Sequence, residues 1–76
     1  MTFDIKIRNS ADAQELNRIA NQYPFDIWVH GVSGQADAKS ILGLILFTLE
    51  SDVKLVVPDG VDTKQFEQDM KEYIAR

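Results

Sequence analysis

The chain contains no cysteine and a single histidine among its 76 residues. The first absence removes disulfides, thiolate catalysis and cysteine-ligated zinc together, and one imidazole cannot make a histidine cluster. No structural metal and no cofactor is therefore expected. Long apolar runs are missing as well. The most apolar stretch, Ile41 to Leu49, is far shorter than the roughly 20 residues that cross a bilayer, so no membrane-spanning segment is predicted. Basic excess is the third absence: Lys and Arg number 8 against 12 Asp and Glu, a net charge of −4. Nucleic-acid affinity draws on basic patches that displace counterions, and nucleic acid is accordingly not an expected partner. A secretory leader would open on basic residues and pass into an apolar run, whereas Phe3, Asp4, Ile5, Lys6 and Ile7 alternate. The expected location is the cytoplasm. Repeats, linkers and low-complexity segments are lacking, and one domain over residues 1–76 is expected, near the size at which a single core only just outweighs the entropy of ordering the chain.

What is present is 45% hydrophobic residues patterned into short elements. Thr2 to Ile7 alternates with period two, which predicts a strand with Phe3, Ile5 and Ile7 facing a core and Asp4 and Lys6 facing water. Asn9 or Ser10 can cap a helix in which Ala13, Leu16, Ile19, Ala20 and Tyr23 recur at helical spacing, and Pro24 stops it. Phe25, Ile27 and Val29 alternate with Asp26, Trp28 and His30 in a second strand. Gly31 to Gly34 turns the chain into a short third strand at Gln35 to Ala38. Ser40 stands where it can cap a helix from Ile41 to about Leu49. Val53, Leu55 and Val57 form a fourth strand ended by Pro58-Asp59-Gly60, a strong turn sequence. Asp62 with Gln65 resembles a capping box that opens a last helix burying Phe66, Met70, Tyr73 and Ile74. Helices with one apolar stripe must cover a sheet, and alternating strands leave the other face wet.

Asp37-Ala-Lys-Ser-Ile-Leu-Gly-Leu44 places a serine hydroxyl at the start of an almost wholly apolar helix. Its Lys39-Ser40-Ile41-Leu42-Gly43-Leu44 resembles the Lys-Ser-Ile-Met-Gly-Val run of the histidine-containing phosphocarrier proteins, the HPr family, in which the serine is a regulatory phosphorylation site. Tyr23, Asp26 and Ile27 fall where that family often has a tyrosine, an acidic residue and a valine, and Gly60 and Asp62 resemble its glycine and acidic residue before the final helix. The resemblance covers most of the chain, and the Lys-Ser-Ile-x-Gly run is its specific part. It implies an α+β fold: a single HPr-like domain, an open-faced two-layer sandwich of order βαββαβα, with an antiparallel four-stranded sheet covered on one face by three helices.

The first loop departs from the family. A Gly-x-His-Ala-Arg-Pro-Ala segment, whose histidine accepts phosphate and whose arginine helps stabilise it, is replaced by the shorter Ile7-Arg8-Asn9-Ser10-Ala11-Asp12-Ala13. Phosphoryl transfer needs an imidazole nucleophile, and neither Asn9 nor Ser10 offers one. The carrier reaction is therefore not expected, and the chain resembles the catabolite-repression HPr paralogues, which also lack the histidine and keep the serine. Strand alternation puts His30 beside Trp28 on the outer sheet face, where a surface histidine is the favoured reading. Arg8 is either an anion contact beside the first-helix N-terminus or a solvated arginine.

Ser40 has two compatible readings, a helix cap and a regulatory phosphorylation site. Leu42 and Ile45 match the family's exposed docking positions and are read equally as docking residues or as core. With Lys39 and Ser40 they form the expected partner-binding set. By resemblance the partner is a phosphotransferase-system component, an HPr kinase or a transcriptional regulator. Trp28 offers a second surface, either a partly covered aromatic or a homodimer contact. The leading functional expectation is a non-catalytic regulatory or adaptor protein linked to the phosphoenolpyruvate-dependent sugar phosphotransferase system. A constitutive interaction or homodimerisation module unrelated to sugar transport is the alternative. An enzyme using Asp59 and Asp62 is the weakest, since turn formation and capping account for both.

Overall fold

Alternation at the N-terminus gives strand β1 (Thr2–Ile5), and the computed structural model, which describes residues 1–74, continues with helix α1 (Ser10–Ala20), strands β2 (Trp28–Gly31) and β3 (Gly34–Asp37), helix α2 (Ile41–Ile45) followed by a 3₁₀ segment (Leu46–Leu49), strand β4 (Val53–Val56) and helix α3 (Lys64–Asp69). The strands lie in the order β1-β4-β2-β3, and every neighbouring pair is antiparallel. Register places Phe3, Leu55, Val29 and Ala36 in one row beneath the helices. The rows Thr2, Val56, Trp28, Asp37 and Asp4, Lys54, His30, Gln35 fall on the opposite, uncovered face, since side chains alternate across a strand. An open-faced two-layer α+β sandwich is the result. Among the described residues, no helix is long and apolar enough to cross a membrane.

Helix α1 starts as its sequence predicts. Asn9 takes an extended backbone, and its side-chain oxygen accepts from the Asp12 amide at 2.9 Å. Asp12 answers by accepting from the Arg8 amide at 3.0 Å, so side chains at both ends of the first turn satisfy free donors. Leu16, Ile19 and Ala20 are buried and meet Ile27, Val29, Leu44, Leu55, Phe66 and Met70 in one core. Tyr23, Phe25 and Phe66 pack with ring centroids 5.3 to 5.7 Å apart, closing the sandwich at the loop between α1 and β2. The helix ends at Ala20, before Pro24: Asn21 already donates to Asn17 and Gln22 to Ile19 in a tightening turn.

Several element boundaries differ from expectation: β1 ends at Ile5 rather than Ile7, β2 begins at Trp28 rather than Phe25, and α1 stops short of Tyr23. The second helix is α-helical only to Ile45, because Thr48 Oγ1 donates back to the Ile45 carbonyl at 2.8 Å and the chain tightens into 3₁₀ form. The last helix begins after Thr63, one residue later than the Asp62–Gln65 capping box requires. Asp62 instead accepts from the Lys64 amide at 3.1 Å, while Gln65 reaches forward to Asp69 at 3.0 Å. That helix ends at Asp69, yet Met70 and Tyr73 still fold inward through a following turn. Ile74 bridges to Ile5, and Lys6 donates to the Tyr73 carbonyl at 2.9 Å, so the outer edge of β1 is partly covered.

Helix α2 lies over the edge strand β3 at very short range. A Cβ on Gly43 would stand 2.8 Å from Ala36 Cβ, a separation that side chains do not tolerate. This gives the motif glycine a packing reason. Gly43→Ala should lower stability by about 1–2 kcal/mol, since overpacking costs 1–3 kcal/mol and outweighs the gain of up to about 1 kcal/mol in helix propensity. Ala36→Gly on that background should restore part of the loss, as read from denaturant midpoints at constant slope. A Gly43→Ala protein as stable as the parent would remove the packing argument.

Candidate docking site on the second helix

The approach to α2 is built by Asp37. Its side chain accepts from the Lys39 amide at 2.9 Å while its carbonyl accepts from the Ser40 amide at 2.9 Å, an Asx-type turn that ends β3 and aims the chain into the helix. Helix α1 holds the turn from the side. Asn17 donates to the Ala38 carbonyl at 3.2 Å, and the Lys39 ammonium donates to the Tyr23 carbonyl at 2.8 Å, just beyond the C-terminus of α1. Lys39, expected in the partner-binding set, thus spends its charge on this internal contact and is half-buried.

Ser40 occupies the N-cap position with an extended backbone, and its carbonyl accepts from the Leu44 amide at 3.2 Å. Its hydroxyl makes no capping bond, which corrects the expected cap. The Asx turn has already fixed the chain direction, so the serine side chain is left exposed and without a helix amide as partner. On the helix itself, Leu44 and Phe47 face the core and are buried. Leu42, Ile45, Leu46 and Leu49 follow the i, i+3, i+4, i+7 spacing of a single face, and that face is in solvent at 78%, 39%, 68% and 91% exposure. Leu42 and Ile45 are therefore surface residues. Leu46 and Leu49 extend their stripe, a membership that the helical spacing alone signals.

The far end of the stripe is tied to the β2–β3 turn by Glu50. Its carboxylate accepts from the Val32 amide at 2.7 Å and from the Ser33 amide and hydroxyl, which holds the Glu50 pKa below the usual carboxylate value, the Ser33 hydroxyl being the largest cause. Nothing in the local sequence signals this clamp, because its partners are 17 and 18 residues apart.

Arg8 is not a free cation. Its Nε donates to Asp12 Oδ2 at 2.9 Å and its amide to the same oxygen, so the anion already seated at the start of α1 is the chain's own carboxylate. That pairing depresses the Asp12 pKa, chiefly through the Arg8 side-chain hydrogen bond and against the desolvation of a nearly buried group. His30 stands on the uncovered sheet face, opposite Lys54 and Gln35 in register. Trp28, 39% exposed, is on the same face, cross-strand from Val56 and Asp37. Asp59 accepts from the N-terminal amine at 3.0 Å.

The architecture is that of HPr-like proteins. The chain is similar to HPr-C-His from Thermoanaerobacter tengcongensis, with 25% sequence identity and a TM-score of 0.64, over 93% of this chain and 81% of that one. No family model and no curated protein matches the chain.

Two outcomes follow from this geometry. Ser40→Ala should cost less than about 0.5 kcal/mol, below the range for loss of a working N-cap bond; a larger drop in unfolding free energy would show that the hydroxyl caps the helix in solution. For Asp12, the folded pKa lies below the unfolded one, so its contribution is present above the unfolded value and is lost as pH falls through the folded value. Asp12→Asn should therefore lower the melting temperature most near neutral pH. The difference from the parent should shrink below about pH 4, and a pH-independent difference would contradict the ion-pair account.

Proposed function

We propose that the chain is a non-catalytic, HPr-like regulatory or adaptor protein related to the phosphoenolpyruvate-dependent sugar phosphotransferase system, which docks a protein partner through α2 and its 3₁₀ extension. The supporting observation is the exposed Leu42–Ile45–Leu46–Leu49 stripe with an accessible Ser40 at its rim. The stripe carries no charge, so a phosphoryl group on Ser40 adds roughly two negative charges beside an apolar contact and changes its fit without refolding the domain. A phosphotransferase-system component, an HPr kinase or a transcriptional regulator is the partner class that the HPr resemblance implies. Histidine phosphocarrier chemistry is not part of this reading. The single imidazole, His30, lies on the sheet face turned away from the helices, and the start of α1 offers Asn9, Ser10 and Asp12 in its place.

Intact mass measurement tests the reading in two arms. With phosphoenolpyruvate and enzyme I, no acid-labile adduct should form. With ATP and an HPr kinase, one phosphoryl group should map to Ser40 and be lost in Ser40→Ala. Leu42→Lys should weaken kinase or regulator binding by about tenfold or more while the far-ultraviolet dichroism stays unchanged, because an exposed site tolerates a long charged side chain. An adduct on His30 would overturn the non-catalytic assignment, and full binding by Leu42→Lys would remove α2 from the contact.

A further inference from the structure

We infer that the outer stripe of α2 and its 3₁₀ extension is a homodimer interface, occupied by the same stripe of a second copy of this chain. The inference concerns the face used in the regulatory reading, yet it does not depend on that reading, since it requires no modification and no other protein. Helix α2 with its extension is apolar on two sides. Leu44 and Phe47 go into the core, and Leu42, Ile45, Leu46 and Leu49 form a complete second helical face in water. The Glu50 clamp places Val32, 89% exposed, beside the end of this face by holding its amide 2.7 Å from the carboxylate.

Area argues for a paired surface. At their exposures these five residues present at most about 600 Å² of accessible surface, the upper end of the largest patch on an ordinary monomer. Two such faces, wholly covered, remove up to about 1,200 Å² from water, which reaches the lower end of the range for specific interfaces.

Among the pairings open to two copies, charge selects this face. The chain carries a net charge of −4, so most pairings of two copies bring like charges together. Ile41 to Leu49 contains no ionisable residue, and a two-fold contact centred on Leu42, Ile45, Leu46 and Leu49 brings no charged side chain of this segment against its copy. The neighbouring carboxylate, Glu50, is turned into its own hydrogen bonds with Val32 and Ser33 rather than toward a partner. Symmetry doubles each contact, so four apolar residues per copy supply a continuous interface core. A partner protein that docks on α2 must then compete with self-association, which makes monomer concentration a control on docking.

Sedimentation equilibrium of the purified chain alone, over a wide concentration range, tests the inference. The expected result is a reversible monomer–dimer equilibrium. Leu46→Lys and Leu49→Lys, both at exposed positions, should each raise the dissociation constant by about tenfold or more, the scale of a lost interface anchor. Trp28→Arg, on the open sheet face, should leave it unchanged. Dichroism of each variant confirms that the monomer is folded. A parent chain that stays monomeric throughout overturns the inference. So does a dimer that Trp28→Arg dissolves and the leucine substitutions leave intact. Failure of kinase or regulator binding, by contrast, would bear on the regulatory reading and leave this equilibrium as measured.

Discussion

The seat of α2 on β3 governs the functional surface. Gly43 has no side chain and Ala36 only a methyl, so the helix settles where a single added carbon would stand 2.8 Å from its neighbour. At that height Leu44 reaches the core shared with Val29 and Leu55, and the helical period then decides everything else on the element. Residues one turn-face away, Leu42, Ile45, Leu46 and Leu49, must project into solvent. A bulkier pair at 36 and 43 would lift or tilt the helix and redistribute both faces. The Lys-Ser-Ile-x-Gly run thus has an architectural logic: lysine ties the approach to the end of α1, serine occupies the helix boundary, isoleucine begins the inner face, and glycine permits the contact with the sheet.

Polar groups in this fold act chiefly as fasteners. Asp12 closes the first turn of α1 and holds Arg8, Glu50 closes the β2–β3 turn onto the end of the 3₁₀ segment, and Asp69 accepts the Tyr23 hydroxyl across the core rim. The corresponding pKa displacements are explained by these partners. Burial first, then the Asp69 hydrogen bond, pushes Tyr23 up to about 12, and the neutral phenol is retained at any ordinary pH. Arg8 and Glu50 also line one open cavity together with Lys6, Thr48 and Ser51. The outer stripe of α2 and its extension is apolar and exposed.

The order of elements and most of the core were legible because the signals are local. Period-two runs at Phe3–Ile7 and Ile27–Val29, helical spacing in α1, and the turn residues around Gly60 each report on neighbours in the chain. Even the edge strand β3, with residues of poor strand propensity, was indicated by its place between a Gly-bracketed turn and a helix start. Boundaries were less legible. The change to 3₁₀ form at Leu46 depends on the Thr48 hydroxyl, and the start of α3 depends on which of several capping groups wins; such competitions are settled by small energy differences.

By itself the sequence determined the alternating layers, the absence of thiol chemistry, the lack of an imidazole in the loop before α1, and the presence of a helix too apolar to have only one buried face. Tertiary structure decided which side of that helix is covered. It decided that the Ser40 hydroxyl is free because Asp37 had already turned the chain, that Arg8 is neutralised by Asp12, and that Lys39 points inward to α1. It also brought Glu50 to Val32 and Ser33 across 17 and 18 residues of chain. The Asp37 turn and the Arg8–Asp12 pair are local contacts chosen among several that the sequence permits, whereas the covered side of α2, the Lys39 contact and the Glu50 clamp depend on distances between groups on different elements, which packing fixes rather than any pattern within one segment.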